Sequence, residues 1–278
     1  MNILTSLFSK FFAKNNTHIS PEHYVSVCCI VKDENNYLEE WIRYHQKIGV
    51  SNFYIYDNGS KIPVRETIKE LNLDRVVAVI DIPGKNKHVK AYQHCLDKFG
   101  SYSQWIAFID VDEFIVPKTN EGSLVQFLKN YEDFGGLGVS WLIFGSAGHI
   151  QKPAGSQLRN FTKRSDLNFL PNTHIKSIVQ PRFVASAFKS HCFKYKPGYD
   201  CVNEHQKVID GATTEPSVDT IQLNHYYCRS LEEYHEKITR GISDTKRARK
   251  IEEFNYHDAG SNAIEDREIL KILDQKEA

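Results

Sequence analysis

Three acids close a short apolar run in the segment Gln104-Trp-Ile-Ala-Phe-Ile-Asp-Val-Asp-Glu-Phe114: Asp110, Asp112 and Glu113. The run from Trp105 to Ile109 has the length and polar borders of a buried strand. Alternation along extended chain points Asp110 and Asp112 the same way at its end. Two neighbouring carboxylates repel each other and call for a cation between them. Oxygen ligands select a hard divalent ion, Mg²⁺ or Mn²⁺, of the kind that also binds substrate phosphates. A bare Asp-x-Asp is more often a strand followed by a solvated acidic turn. The apolar strand in front, and two more polar clusters, favour the metal.

Those clusters are Lys32, Asp33 and Glu34, then Asp57, Asn58, Gly59 and Ser60. Each follows a predicted strand, and in α/β sheets ligands sit at the carboxyl ends of strands. Asp57 is placed to accept hydrogen bonds from a base or ribose. Gly59 permits a tight turn or a close backbone approach. Taken alone, Asn58-Gly59 is ordinary turn composition. Lys87, Lys90, Lys237 and Arg240 are the cations considered for phosphate contacts.

The elements that must position these residues follow from periodicity. Residues 24–31 read as a first buried strand. Asn36 with Glu39 reads as a capping box, and Leu38, Trp41, Ile42, His45 and Ile48 form the apolar stripe of the helix it opens. Gly49 ends that helix. Residues 52–56 read as a second strand, 64–71 as a helix, 76–80 as a strand and 87–99 as a helix. Ser123 and Gln126 mark a short helix, and Ser230 with Glu233 marks a later one. Strands alternating with helices predict an α/β fold with a mostly parallel sheet flanked by helices. Residues 135–208 are richer in short β-like runs, turns and aromatics. The expected division is an N-terminal amphipathic segment over 1–20, one domain over 21–250 and a helical tail over 251–278.

Composition bounds the partners. Of 278 residues, 35 are Lys or Arg and 35 are Asp or Glu. A zero net charge argues against a general nucleic-acid binder, which needs a basic surplus. The six cysteines lack paired spacing and read as reduced thiols. His191, Cys192, Cys201, His205, His225 and Cys228 form a loose zinc-ligand set, without the tight spacing of structural sites. In the first twelve residues, Ile3, Leu4, Leu7, Phe8, Phe11 and Phe12 fall at helical spacing with Lys10 and Lys14 nearby. That run is too short to span a bilayer. It is expected to lie on a membrane surface or against protein.

The ordered set of Cys29-Ile-Val-Lys-Asp-Glu-Asn35, Trp41-Ile-Arg-Tyr-His45, Tyr56-Asp-Asn-Gly-Ser60, Phe108-Ile-Asp-Val-Asp-Glu-Phe114 and Asn224-His-Tyr226 resembles the GT-A glycosyltransferases. Within them it is most similar to glycosyltransferase family 92 and the related family 2-like group. The resemblance runs from about residue 25 to about residue 242. It implies a nucleotide-binding Rossmann-like half joined to a β-rich acceptor half. It implies a nucleotide-diphosphate sugar donor, expected as a UDP-sugar carrying a hexose such as galactose, a Mn²⁺ or Mg²⁺ ion, and inversion at the anomeric carbon. By the same resemblance Asp110 and Asp112 hold ribose and metal, His225 is a late metal ligand, and Asp57 contacts the nucleoside. Lys32, Asp33, Glu34, Asn58, Lys87, Val111 and Arg240 complete the expected donor site.

Inversion needs a base for the acceptor hydroxyl. Glu204, Asp166 and Glu113 are the acids considered for it, each also readable as an ordinary polar residue. The acceptor is expected to be a glycan or lipid-linked saccharide, met in the cytoplasm or at the inner face of the membrane. Two rival functions remain open: a phosphohydrolase using the Asp-x-Asp as nucleophile and acid, against which Phe114 and the motif's depth in the chain both count, and a non-catalytic sugar-nucleotide binder.

Overall fold

A computed structural model describes residues 21–241 and 249–275. The amphipathic segment expected over 1–20 lies outside the described residues. The first half alternates strand and helix: β1 (His23–Val31), α1 (Asn35–Lys47), β2 (Asn52–Asp57), α2 (Val64–Glu70), β3 (Val77–Asp81), α3 (His88–Phe99) and β4 (Ser103–Phe108). Parallel pairing runs β3-β2-β1-β4. β1 is covered on both faces. Val25, Val27, Cys29 and Val31 face the core under α1, while Cys28 and Ile30 face a second core with Ala91, Tyr92 and Cys95 of α3. A strand buried on both sides has to be apolar throughout, which is why the sequence shows a run there and no alternation.

The predicted stripe of α1 is buried along its length. Trp41 Nε1 donates to the Glu113 carbonyl at 2.9 Å and Tyr44 Oη to that of Ile115 at 2.8 Å. These bonds clamp the helix to the chain that leaves the acidic segment. The Asn36–Glu39 capping box does not form. α1 starts after Glu34 with no side-chain cap. The Glu34 carboxylate is drawn instead to Arg229 and Arg240, and Asn35 Nδ2 donates to Thr67 Oγ1 at 2.7 Å.

The second half continues with β5 (Glu113–Pro117), α4 (Leu124–Leu128), β6 (Gly136–Ile143), α5 (Gln157–Asn160), β7 (Lys163–Arg164), β8 (Ile175–Val179), β9 (Val184–Ala187) and β10 (Phe193–Tyr195). It closes with β11 (Cys201–Val202), β12 (Val208–Ile209), β13 (Ile221–His225) and α6 (Leu231–Arg240). β8 enters antiparallel between β4 and β6, and β13 runs antiparallel to β5 and parallel to β6. The two halves therefore share one mixed sheet, wholly parallel in the first half and of both senses in the second. The Ser230 capping box of α6 forms as its spacing predicts, and Ser123 caps α4.

The C-terminal tail is not helical throughout. It holds α7 (Ile251–Gly260), β14 (Ile264–Glu265) and α8 (Glu268–Leu273). β14 pairs with β7, Ile269 and Ile272 join the main core, and Lys47 Nζ donates to the Leu273 carbonyl at 2.9 Å. The boundary expected at residue 250 thus separates segments that share one core.

Candidate functional site

The ends of β1 and β4 face the β-rich half across a cavity of about 250 Å³. Lys32, Glu34, Asn58, Asp110, Val111 and Asp112 line it from the first half. Trp141, Lys176, His191, His225 and Arg240 line it from the second. Lys32 and Arg240 also border an adjoining groove of about 890 Å³, together with Asp33 and Gly59.

The acidic segment is a turn. β4 ends at Phe108, and Glu113 N donates to the Asp110 carbonyl at 3.0 Å. Alternation does not survive that turn, so extended-chain geometry is not what aims the two aspartates, although both line the cavity. Each meets its own lysine. Lys176 Nζ of β8 donates to Asp110 Oδ2 at 2.7 Å, and Lys237 Nζ of α6 to Asp112 Oδ2 at 2.6 Å. The other oxygens face imidazoles: His88 Nε2 lies 3.8 Å from Asp110 Oδ1, and His225 Nε2 3.6 Å from Asp112 Oδ1.

Burial alone would push both carboxyls up. Lys176 and His88 outweigh it at Asp110, and Lys237 and His225 outweigh it at Asp112 still more, so both stay ionised below the usual range. Lys176 is itself desolvated, yet Asp110 and Glu113 hold it protonated. Burial pushes His225 down, with Asp112 opposing, and the ring is neutral at pH 7.

Asp112 Oδ1 and His225 Nε2 are spaced for a single ion bonded at roughly 2–2.3 Å to each. The donor pair fits a divalent cation that accepts both oxygen and imidazole. Asp110 does not converge with them, its carboxylate being turned to Lys176 and His88. Among the described residues, the group whose ligand atoms all lie within 4.8 Å of one another is Glu204, His205 and Asp219, away from the cavity.

The other expected residues divide clearly. Arg240 Nη1 donates to the Asp33 carbonyl at 3.1 Å and its guanidinium pairs with Glu34, which ties the two ends of the groove together. Asn58 Nδ2 donates to the carbonyls of Ile82 and Gly84 at 2.7 and 2.8 Å. Asp57 is not a free acceptor for a nucleoside. Its Oδ1 accepts from the amides of Gly59 and Ser60, and its Oδ2 from that of Val64. Gly59 adopts φ 83°, the left-handed turn that its lack of a Cβ allows. Lys87 precedes α3 and Lys90 is exposed; neither lines the cavity or the groove.

None of the three acids considered as base lines the cavity. Glu113 is fully buried, accepts from Asp110 N at 2.7 Å, and is pushed up to about 8 by burial and the two aspartates against the pull of Lys176. Asp166 is exposed and accepts from Asn168 N at 3.0 Å in a local turn. Glu204 anchors a loop. It accepts from Ser217 Oγ, from the amides of Asp219 (2.7 Å), Thr220 (2.5 Å) and Ile221 (3.1 Å), and from Thr220 Oγ1 (2.6 Å).

Sequence reasoning missed Lys176, Trp141 and Arg229, and considered His191 only within the loose zinc-ligand set. Lys176 stands inside the apolar strand Ile175-Lys-Ser-Ile-Val179, and a lysine there is a readable sign of a buried ion pair. Arg229 is buried at φ 49°, stacks on the Tyr37 ring at 3.4 Å and lies 3.1 Å from Glu34. The loose Cys and His set does not assemble as a zinc site among the described residues. All six thiols are free and buried. Burial pushes up Cys28, Cys29, Cys201 and Cys228, which disfavours the thiolates a metal needs.

The chain belongs to glycosyltransferase family 92, whose family model matches residues 22–265. A family 92 protein of Ricinus communis is 29% identical over 232 residues, covering 80% of this chain and 38% of that protein. One of Oryza sativa is 27% identical over 227 residues, covering 80% and 36%. The chain therefore spans little more than a third of the length of these curated relatives. Among solved structures, residues 1–349 of S. aureus TarS align at 12% identity with a TM-score of 0.37, over 58% of this chain and 48% of that one. HddC from Yersinia pseudotuberculosis aligns at 10% identity with a TM-score of 0.36, over 81% and 84%.

Proposed function

We propose that the cavity binds a nucleoside diphosphate hexose together with a divalent cation, and that the protein transfers the hexose, with inversion, to a hydroxyl of a glycan or lipid-linked acceptor. The observation that carries this reading is Asp112, held between Lys237 and His225 on the cavity wall. A carboxylate kept ionised beside a neutral imidazole is a ready divalent-metal site. Lys32, Lys176, Arg240 and Arg249 surround it with positive charge. That is the setting a diphosphate leaving group requires, because negative charge grows on it as the glycosidic bond breaks. When bound at Asp112 and His225, Mn²⁺ or Mg²⁺ would supply Lewis-acid stabilisation of that charge.

This chain's own groups do the rest. Lys32 and Arg240, shared by cavity and groove, hold the diphosphate where the two meet, and the nucleoside extends toward Asp33 and Gly59. Glu34 orients Arg240 and Arg229 and keeps both guanidinium groups from collapsing onto the aspartates. UDP is the nucleotide to test first.

Calorimetry of UDP with and without Mn²⁺ tests the reading. Wild-type protein should bind UDP in a Mn²⁺-dependent way, and Asp112→Asn should lose that dependence while keeping a cooperative melt. Unchanged Mn²⁺-dependent affinity in Asp112→Asn would defeat the proposal. For location, we place the protein in the cytoplasm with residues 1–20 as a peripheral contact to the inner face of the membrane. The apolar spacing of that segment and its lysines support this. Among the described residues, no helix is long and apolar enough to cross a membrane. Deleting residues 1–16 should release the protein from anionic vesicles, and an intact chain that never sediments with them refutes the placement.

A further inference from the structure

Every acid lining the cavity is already paired with a cation. Glu34 meets Arg229 at 3.1 Å and also Arg240, Asp110 meets Lys176 at 2.7 Å, and Asp112 meets Lys237 at 2.6 Å. Protonating any of them would break an ion pair, so they are poor proton acceptors. Transfer to a hydroxyl still needs one. The histidines on the cavity wall are the remaining choices among the described residues, and two of them face acids: His88 lies 3.8 Å from Asp110 and His225 3.6 Å from Asp112.

His191 is placed differently. Its Nδ1 lies 2.8 Å from the Ile175 carbonyl oxygen. A carbonyl only accepts, so Nδ1 carries the hydrogen and Nε2 carries the lone pair. No group among the described residues bonds Nε2, and the ring lines the cavity. Ser177 Oγ donates to the His191 carbonyl at 2.7 Å, which fixes the backbone behind it. Trp141 lies edge-on to the ring at 5.0 Å, lines the same cavity, stacks on His174 at 5.1 Å and packs on His225 at 4.4 Å. The half-buried indole, bordering the cavity beside a free imidazole nitrogen, offers an apolar edge for a sugar ring, and the nitrogen offers an acceptor for one of its hydroxyls.

We propose that His191 Nε2 is the general base for transfer and that Trp141, beside it on the cavity wall, borders the acceptor pyranose. The inference rests on the hexosyl-transfer reading above. In the step, the acceptor hydroxyl gives its proton to Nε2, and its oxygen lone pair forms the new bond to the anomeric carbon. The bond from that carbon to the phosphate oxygen breaks, and its electron pair leaves on the diphosphate. The imidazolium formed is offset by the negative charge the diphosphate gains. Burial, with Lys176 nearby, lowers the ring to about 3, so the lone pair is available at neutral pH.

The test compares wild type, His191→Asn, His191→Ala and Trp141→Phe in two assays. One is UDP affinity with Mn²⁺ by calorimetry. The other is UDP release from UDP-glucose and UDP-galactose, in water and with a panel of methyl hexopyranosides. His191→Asn should release UDP about a hundredfold more slowly, within the usual range for loss of a general base. Its UDP affinity should be unchanged. Added imidazole should restore part of the rate of His191→Ala, which a purely structural residue would not show. Trp141→Phe should raise the KM for the saccharide and leave UDP affinity alone. The inference is overturned if His191→Asn stays within about threefold of wild type, if its UDP affinity falls in parallel, or if imidazole rescues nothing. It is also overturned if wild type binds UDP but releases none from either donor with any saccharide. A wild type that binds no UDP refutes the donor reading itself, and the inference with it.

Discussion

Asp112 and Glu204 are carboxylates in connections of the same sheet, one half-buried and one buried, and are held in opposite ways. Asp112 is gripped by charged or chargeable groups, Lys237 and His225, on the wall of a cavity. Glu204 accepts its hydrogen bonds from neutral donors, two hydroxyls and three amides, inside a loop, with the imidazole of His205 farther off at 3.9 Å. Neutral donors commit a carboxylate to the fold, since they have no other use and lose their only partner if it moves. Cations beside a cavity keep the acid ionised and can turn to a ligand's phosphates when one arrives. The same residue chemistry therefore yields a structural anchor in one place and a binding site in the other.

The comparison extends to the cations, and there the largest effect is expected. Lys176 is buried, with Asp110 at 2.7 Å and Glu113 at 3.5 Å. Lys176→Met would leave the ionised Asp110 without its lysine counter-charge, Glu113 beside it being raised to about 8 and mostly protonated at pH 7. Breaking a buried pair from one side typically costs about 3–5 kcal/mol. Denaturant melts should show a loss of that order at pH 7. A loss below about 1 kcal/mol would place Lys176 with the surface pairs, whose removal costs that little, and would remove the contrast drawn here.

Glu204→Ala comes next. It strands five donors, of which the loop can return some to water, so a loss of about 3 kcal/mol is reasonable. The decisive readout is UDP affinity with Mn²⁺, which should not change. If that affinity falls together with stability, Glu204 communicates with the cavity and the two carboxylates are not of different kinds.

A smaller effect should sharpen the cavity side. His225→Ala removes an imidazole that suits Mn²⁺ better than Mg²⁺. UDP affinity should fall about tenfold in Mn²⁺, or ~1.4 kcal/mol, and by less in Mg²⁺. Equal losses in the two ions would leave His225 as packing against Trp141 and nothing more.

The legibility of this site in the sequence follows the same division. Strands and helices up to β4 were readable because apolar runs and helical stripes are local patterns, and β1, β2 and β3 are also successive neighbours in the sheet, with β4 returning beside β1. Asp110, Asp112, His225 and Arg240 were readable as a set from their resemblance to a family. Lys176 and Trp141 were not, and His191 entered only as a loose zinc ligand, because β6 and β8 join the sheet by antiparallel pairing remote in sequence. Lys176 meets Asp110 across 66 positions of chain, and no local pattern announces such a pairing. Asp57 and Glu204 looked functional for the opposite reason. An acid at a strand end or in a polar loop has the composition of a site, and only the count of amides pointing at it shows that it is holding the loop.

The smallest expected effect isolates what charge alone does at Glu204. Burial raises its pKa, but the Ser217 and Thr220 hydroxyls and the loop amides lower it further, and the net shift is downward. A carboxyl whose pKa is lower folded than unfolded binds protons more weakly in the native state. Its stabilising contribution is then fully present above the unfolded value of about 4.3 and is lost as pH falls through the folded one. Other acids titrate in the same window, among them Glu233, so the acid limb of the wild type alone decides nothing. The difference between wild type and Glu204→Gln does, because those other groups cancel. Gln keeps one acceptor oxygen and cannot be charged, so the gap between the two chains should be widest near neutrality and should narrow as pH drops below about 4. Denaturant midpoints taken across that range measure it directly. A gap that stays constant would mean the loop is held by shape and neutral hydrogen bonds alone, and the difference between Glu204 and Asp112 would then lie wholly in the cations around Asp112.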